Sequence, residues 1–260
     1  MKSNLRIIWV VLLSLLLAVS LTGCGTTTTT TPPTDGNGGT PLRILPDGLN
    51  ACIDTYTGTS YVIPQTLMAA GGSPFAGYTW SKPALSFFPM GTTVLPLTGV
   101  FVGTGGSLIA GKHTFTVEVY DGTSTATGSV TLNVTTVSSA PSDGVPGVGC
   151  PWAILQQYPY PIVSFALDDA YANKPYGASL FAMGGTPPYS WSEDITYSAL
   201  SDLKAAGLTL DASTGIVRGT LFNSSSGKTL KFRVIVRDSA GATTIFQQTN
   251  YGPVYTITVR

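Results

Sequence analysis

Charged side chains are scarce in this sequence. Asp, Glu, Lys and Arg make up 10% of its 260 residues, against roughly 25% in an ordinary soluble domain. Thirteen basic residues balance thirteen acidic ones. No basic patch is present, so the balance speaks against nucleic acid or another polyanion as partner. Histidine occurs once, at His113. That leaves no multi-histidine metal site and removes the usual base for a Ser or Cys nucleophile. No window carries the 3.6-residue apolar periodicity of an amphipathic helix. The one long apolar run, Ile7 to Val19, is shorter than the roughly 20 residues of a membrane-spanning helix.

Thr, Ser, Gly and Pro stand where charge is missing, the mixture expected of many short strands joined by tight turns. His113-Thr114-Phe115-Thr116-Val117-Glu118-Val119 and Val130-Thr131-Leu132-Asn133-Val134 alternate polar with apolar, the period of half-buried antiparallel strands. Asp121-Gly122 supplies a tight turn between them. The text also repeats. Thr98-Gly99-Val100-Phe101-Val102-Gly103-Thr104 is answered by Thr214-Gly215-Ile216-Val217-Arg218-Gly219-Thr220, and Gly71-Gly72-Ser73-Pro74 by Gly184-Gly185-Thr186-Pro187. Tyr78-Thr79-Trp80-Ser81 is answered by Tyr189-Ser190-Trp191-Ser192, and Phe115 by Phe232. The offset is 111 at the Trp (191 minus 80), 116 at the Gly (215 minus 99) and 117 at the Phe (232 minus 115). Such a slow drift is what loop-length changes between two copies produce. In each Thr-Gly-x-x-x-Gly-Thr copy the first Gly suits a turn needing positive φ and the second a close backbone approach. The apolar residue after the first Gly is expected to point into the core.

The N-terminus reads as an export signal over residues 1–23. Lys2 and Arg6 precede the apolar run, and Leu21-Thr22-Gly23-Cys24 follows it. Those four residues resemble the lipobox of bacterial lipoproteins, in which the cysteine is acylated and becomes the first residue. The resemblance implies lipidation at Cys24, with the membrane as partner through that anchor. Gly25 in the next position implies the outer membrane, hence a cell-envelope location facing periplasm or exterior. Loss of Lys2 and Arg6 leaves 11 basic against 13 acidic residues. Residues 24–43 read as a disordered Thr/Gly/Pro tether. From Gly25 to Thr40 it reaches on the order of 50 Å when extended, at about 3.3 Å per residue.

Residues 44–137 and 150–260 carry the two copies, with a Ser/Pro/Gly-rich linker at 138–149; no third copy is expected after Arg260. The order Gly-Gly-Thr-Pro-Pro-Tyr-Ser-Trp-Ser, Gly207-Leu208-Thr209-Leu210-Asp211, Thr214-Gly215-Ile216, Phe232-x-Val234-x-Val236, Asp238-x-x-Gly241 and a last strand Tyr255–Val259 resembles the immunoglobulin-like (cadherin-like) domains found in tandem on bacterial surface proteins. The second copy carries the pattern almost complete. In the first, two residues intrude between Pro74 and Tyr78, and Val94-Leu95-Pro96-Leu97 replaces the Gly-Leu-Thr-Leu-Asp text. The resemblance implies an all-β fold of two tandem β-sandwiches. The residues agree on their own: Trp80 and Trp191, flanked by Ser and Thr, each suit a ring buried between two sheets.

Candidates for chemistry are few. Asp168-Asp169 and Glu193-Asp194 are adjacent acidic pairs, but neighbours on a strand point to opposite faces and form no dyad. Asp121, Asp211 and Asp238 fall where turns are expected and can cap them. The carboxylate patterns of calcium-binding cadherins are absent, so no metal and no cofactor is expected. His113 shares a strand face with Phe115 and Val117, and its counterpart is Leu230; it reads as a partly packed strand end. Cys52 and Cys150, outside the cytoplasm and without metal-type spacing, read as a disulfide stapling the two copies, or else as two buried thiols. Trp152, Tyr158 and Tyr160, interleaved with Pro151, Pro159 and Pro161, read either as an extended strand at a sandwich edge or as a stacking platform. The expected function is non-enzymatic: adhesion, scaffolding or protein interaction, with a surface protein as partner. The alternative is a carbohydrate-binding module that holds glycan around Trp152.

Overall fold

The computed structural model describes residues 40–45, 48–54, 59–103, 108–137, 167–194, 203–243 and 254–260. The expected signal peptide, the linker and the aromatic-proline stretch lie outside them. Among the described residues, strands dominate and helical turns are confined to 3-10 turns at Lys204–Ala206 and Asn223–Ser225. None is long and apolar enough to cross a membrane.

The first repeat contributes β1 (Arg43–Ile44), β2 (Gly48–Asp54), β3 (Thr59–Val62), β4 (Gln65–Thr66), β5 (Ala69–Ala70), β6 (Thr79–Ser81), β7 (Thr92–Val94), β8 (Val100–Gly103), β9 (Gly111–Tyr120) and β10 (Thr125–Val137). The second contributes β11 (Pro175–Ser179), β12 (Ser190–Glu193), β13 (Leu208–Leu210), β14 (Ile216–Thr220), β15 (Thr229–Phe232), β16 (Val234–Arg237) and β17 (Tyr255–Thr258). In the first repeat one sheet runs β3-β2-β10-β9-β6, with β2 parallel to β10 and the other pairs antiparallel. Its second repeat counterparts are the pairs β12-β16 and β15-β17, with a parallel bridge from Ala170 to Val259. The alternation seen in the sequence settles these faces: Phe115, Val117 and Val119 are buried while Lys112, Thr114 and Tyr120 are exposed.

The opposing sheets do not stay within their repeats. β7-β8-β4 belong to the first copy, and β11-β14-β13 to the second. The strand that holds β4 and β5 then pairs antiparallel with the strand that begins at β11, Ala70 opposite Ala178 and Gln65 opposite Met183. The two sandwiches therefore share one sheet. This seam has internal two-fold symmetry. Gly71 N–H donates to Gly177 O (2.9 Å), and its equivalent Gly184 N–H donates to Pro64 O (2.8 Å). Ala182 N–H donates to Thr66 Oγ1 (2.7 Å), and Ala69 N–H to Ser179 Oγ (2.7 Å). Leu67 N–H reaches Gly99 O (2.8 Å), as Leu180 N–H reaches Gly215 O (2.9 Å).

The sequence offers a linker and a candidate disulfide between the two copies; a hydrogen-bonded sheet joins them as well. The apolar residue of each Thr-Gly-x-x-x-Gly-Thr stretch is buried as expected, but in the other repeat's core. Val100 packs in the cluster built around Trp191, Leu208 and Phe232, and Ile216 in the cluster around Trp80, Phe101 and Val117. Thr40 to Arg43, at the end of the expected tether, also join the fold: Thr40 O accepts from Gly72 N–H (2.7 Å), and Arg43 sits opposite Ala70.

Candidate interaction surface

The conspicuous sequence motifs meet in each repeat as one fold-holding device. Gly71 and Gly72 (φ 81° and 68°) and Gly184 and Gly185 (φ 78° and 64°) adopt the left-handed turn conformation, open to glycine at little cost. The carboxylate of Asp121 accepts from Ser73 N–H (2.7 Å) across that turn, and from Thr123 and Ser124 N–H (2.8 and 2.7 Å) in its own. Asp238 repeats this with Thr186 and Ala242 N–H (2.8 and 2.7 Å). The Tyr78 hydroxyl donates to Gly71 O (2.8 Å) and that of Tyr189 to Gly184 O (2.6 Å). Burial pushes the Asp121 carboxyl up, but the N–H groups of Ser124, Ser73 and Thr123 outweigh it and hold the group below its ordinary value. Burial pushes the Tyr78 and Tyr189 hydroxyls well up. These are structural polar groups, each with its partner.

Other described aspartates hold turns or pair with arginines. Asp211 accepts from Ser213 and Thr214 N–H (3.0 and 3.1 Å) and pairs with Arg218 (2.8 Å). Arg218 also donates to the Pro74 and Phe75 carbonyls, so it crosses from one repeat to the other. Asp168 pairs with Arg43 and Asp169 with Arg260. The adjacent carboxylates turn to different partners, although neither residue lies in a strand. Asp194 lies 4.0 Å from Arg233. Among the described residues no cluster of three potential metal ligands occurs. His113 is half-buried on β9, with Nε2 2.6 Å from Ile109 O, at the strand end expected for it.

Cys52 is buried in β2 at 2% exposure. Cys24, Cys150, Trp152, Tyr158 and Tyr160 lie outside the described residues. Between the repeats a cavity of about 170 Å³ is lined by Leu45, Met68, Leu167, Leu180 and Phe181 with Tyr255 and Asp168. Tyr255 Oη and Asp168 Oδ2 are buried without a hydrogen-bond partner among the described residues.

One exposed apolar feature was missed in the sequence. Between β6 and β7, Leu85, Phe87 and Met90 are 90%, 87% and 71% exposed. The residues between them are anchored. Ser86 Oγ donates to Thr116 O (2.6 Å) and accepts from Thr116 N–H (3.0 Å). The Phe88 ring packs 4.6 Å from Phe115 and 6.2 Å from Phe101. Ser86 N–H closes on Pro83 O and Thr92 N–H on Pro89 O, both at 3.0 Å. The text Leu85-Ser86-Phe87-Phe88 is mostly apolar, but no periodicity tells which of its side chains face out of an isolated loop. At the corresponding place the second repeat buries Leu203 and Ala206.

No curated protein matches the chain. Solved structures that match the chain include an endo-fucoidan hydrolase from glycoside hydrolase family 107, at 15% identity over 90% of this chain and 30% of that one, TM-score 0.32. They also include extracellular cadherin domains 1–4 of protocadherin gamma B7, at 14% identity over 84% and 50% of the two chains, TM-score 0.29. Drosophila N-cadherin gives 16% identity over 70% and 54%, TM-score 0.27. The chain thus spans about a third of the hydrolase and about half of each cadherin fragment. Residues 161–260 match the family model described as "Putative Ig domain". With its strands, buried Trp80 and Trp191 and repeated turns, the chain is an all-β protein of immunoglobulin-like sandwiches.

Proposed function

We propose that this chain is a lipid-anchored protein of the bacterial envelope, held in the outer membrane by acyl chains on Cys24, whose role is non-enzymatic. It presents the fused pair of immunoglobulin-like sandwiches for adhesion, scaffolding or protein interaction. The observation that carries the reading is how its side chains are engaged. Asp121, Asp211 and Asp238 are held in turns, and Asp168, Asp169 and Asp194 face arginines. These described carboxylates thus support the fold, and loops and sheet edges offer the working surface. The Leu21-Thr22-Gly23-Cys24 text supports the anchor, since several acyl chains on one residue give stable attachment where a single chain is marginal.

Detergent-phase partitioning and mass analysis of the N-terminal peptide test the anchor. The native protein is expected in the detergent phase with an acylated Cys24, and Cys24→Ser in the aqueous phase. The role is tested by capturing envelope proteins on the intact protein in the absence and presence of competing sugars. Sugar-insensitive capture supports it. Glycan-array binding that disappears in Trp152→Ala would replace it with carbohydrate recognition.

A further inference from the structure

We propose that the Lys82–Gly91 loop is a second point of membrane contact, seating Leu85, Phe87 and Met90 in the interfacial layer of the bilayer that holds Cys24. The inference rests on the lipid-anchored reading. It begins from the loop's geometry: side chains alternate between anchored (Ser86, Phe88) and projecting (Leu85, Phe87, Met90). A ridge held this way is presented at little cost in ordering on contact, because the Pro83 and Pro89 turns and the Thr116 hydrogen bonds already fix it.

Three features favour a bilayer over a folded partner. The three side chains offer on the order of 500 Å² of surface on one pre-formed ridge. Aromatic and aliphatic side chains of that extent suit shallow burial at the headgroup–acyl boundary. Beside the ridge runs an open groove of about 320 Å³ lined by Lys82, Phe87, Met90, Thr92 and Thr93 among others. Among the described residues lining it Lys82 is the charged one, placed to meet a lipid phosphate while Phe87 and Met90 lie deeper. Finally, on the lipid-anchored reading the 25–40 segment spans on the order of 50 Å when extended, a length that permits this loop to meet the membrane.

The test uses the full lipidated protein in liposomes of phosphatidylethanolamine and phosphatidylglycerol. Phe87→Trp is compared with the native protein, whose own tryptophans give the background, and Leu85→Trp serves as a second reporter. Lipids brominated along the acyl chain are expected to remove most of the added tryptophan's emission, while aqueous iodide leaves it. The effect should hold as protein is diluted into more lipid. Emission quenched by iodide and not by bromolipid, or protected from both, overturns the proposal; the second pattern means that a protein or another copy covers the face. Bromolipid quenching that fades on dilution into lipid likewise means another copy and overturns it. Liposome flotation separates the two readings, since loss of flotation indicts the Cys24 anchor, and flotation without bromolipid quenching indicts the loop alone.

Discussion

If the two repeats share a sheet, damage to the seam from either side must weaken one common unit. Thr66→Val removes the oxygen that accepts from Ala182 N–H at 2.7 Å and donates to Leu180 O at 3.1 Å. The shape is nearly kept, but a buried N–H loses its partner, which costs about 1–3 kcal/mol. Ser179→Ala does the same to Ala69 N–H from the other repeat. The seam's two-fold symmetry predicts similar costs. Urea unfolding followed by intrinsic fluorescence is the assay. With a urea slope of about 2–3 kcal/mol/M and a loss of about 2 kcal/mol, each midpoint falls by about 0.7–1 M with the slope unchanged. One transition is expected for the native protein and both variants, with Trp80 and Trp191 reporting together. The double variant should sum the single costs to within about 0.5 kcal/mol, because the two hydrogen bonds have no shared partner. Two transitions, with Thr66→Val moving one and Ser179→Ala the other, would refute the shared sheet.

Three further outcomes follow from the same contacts. Gly215→Ala, at φ 70° with its new Cβ 2.4 Å from Trp191 Cε2, should cost about 2–4 kcal/mol through backbone strain and overpacking; Gly99→Ala, 2.5 Å from Trp80 Nε1, should match it by thermal unfolding. The Asp121 and Asp211 carboxyls are held below their ordinary value of 3.8. The unfolded chain therefore binds more protons in acid, and the stability they contribute is complete above that value and lost as pH falls through the folded one. Asp121→Ala should flatten that acid limb and lower stability at neutral pH by about 1–3 kcal/mol, read by urea unfolding at a series of pH values. Mass analysis of unreduced peptides should recover Cys52 joined to Cys150; the shared sheet already sets the angle between repeats, so reduction should lower the midpoint without separating them.

Much of the fold was legible in the text, because strand faces follow from alternation and turn positions from glycine. The alternation around Phe115 and Val130 placed β9 and β10, and paired Gly-Gly and Trp texts identified equivalent positions. The turn role of Asp121, Asp211 and Asp238 followed from their place after strands, although the reach of Asp121 to Ser73 N–H needed the folded geometry. What only the tertiary structure decided is which edges meet. Period-two alternation says which side chains face inward, and nothing about which neighbour satisfies a strand's N–H and C=O groups. Thr66 and Ser179 each precede their double glycine by five positions, yet their hydroxyls matter only because the two strands run antiparallel to each other. For the same reason Val100 and Ile216 read from sequence only as core residues, and the fold makes each a core residue of the neighbouring repeat. Burial is set by the sequence; the choice of which core is set by where the edges join.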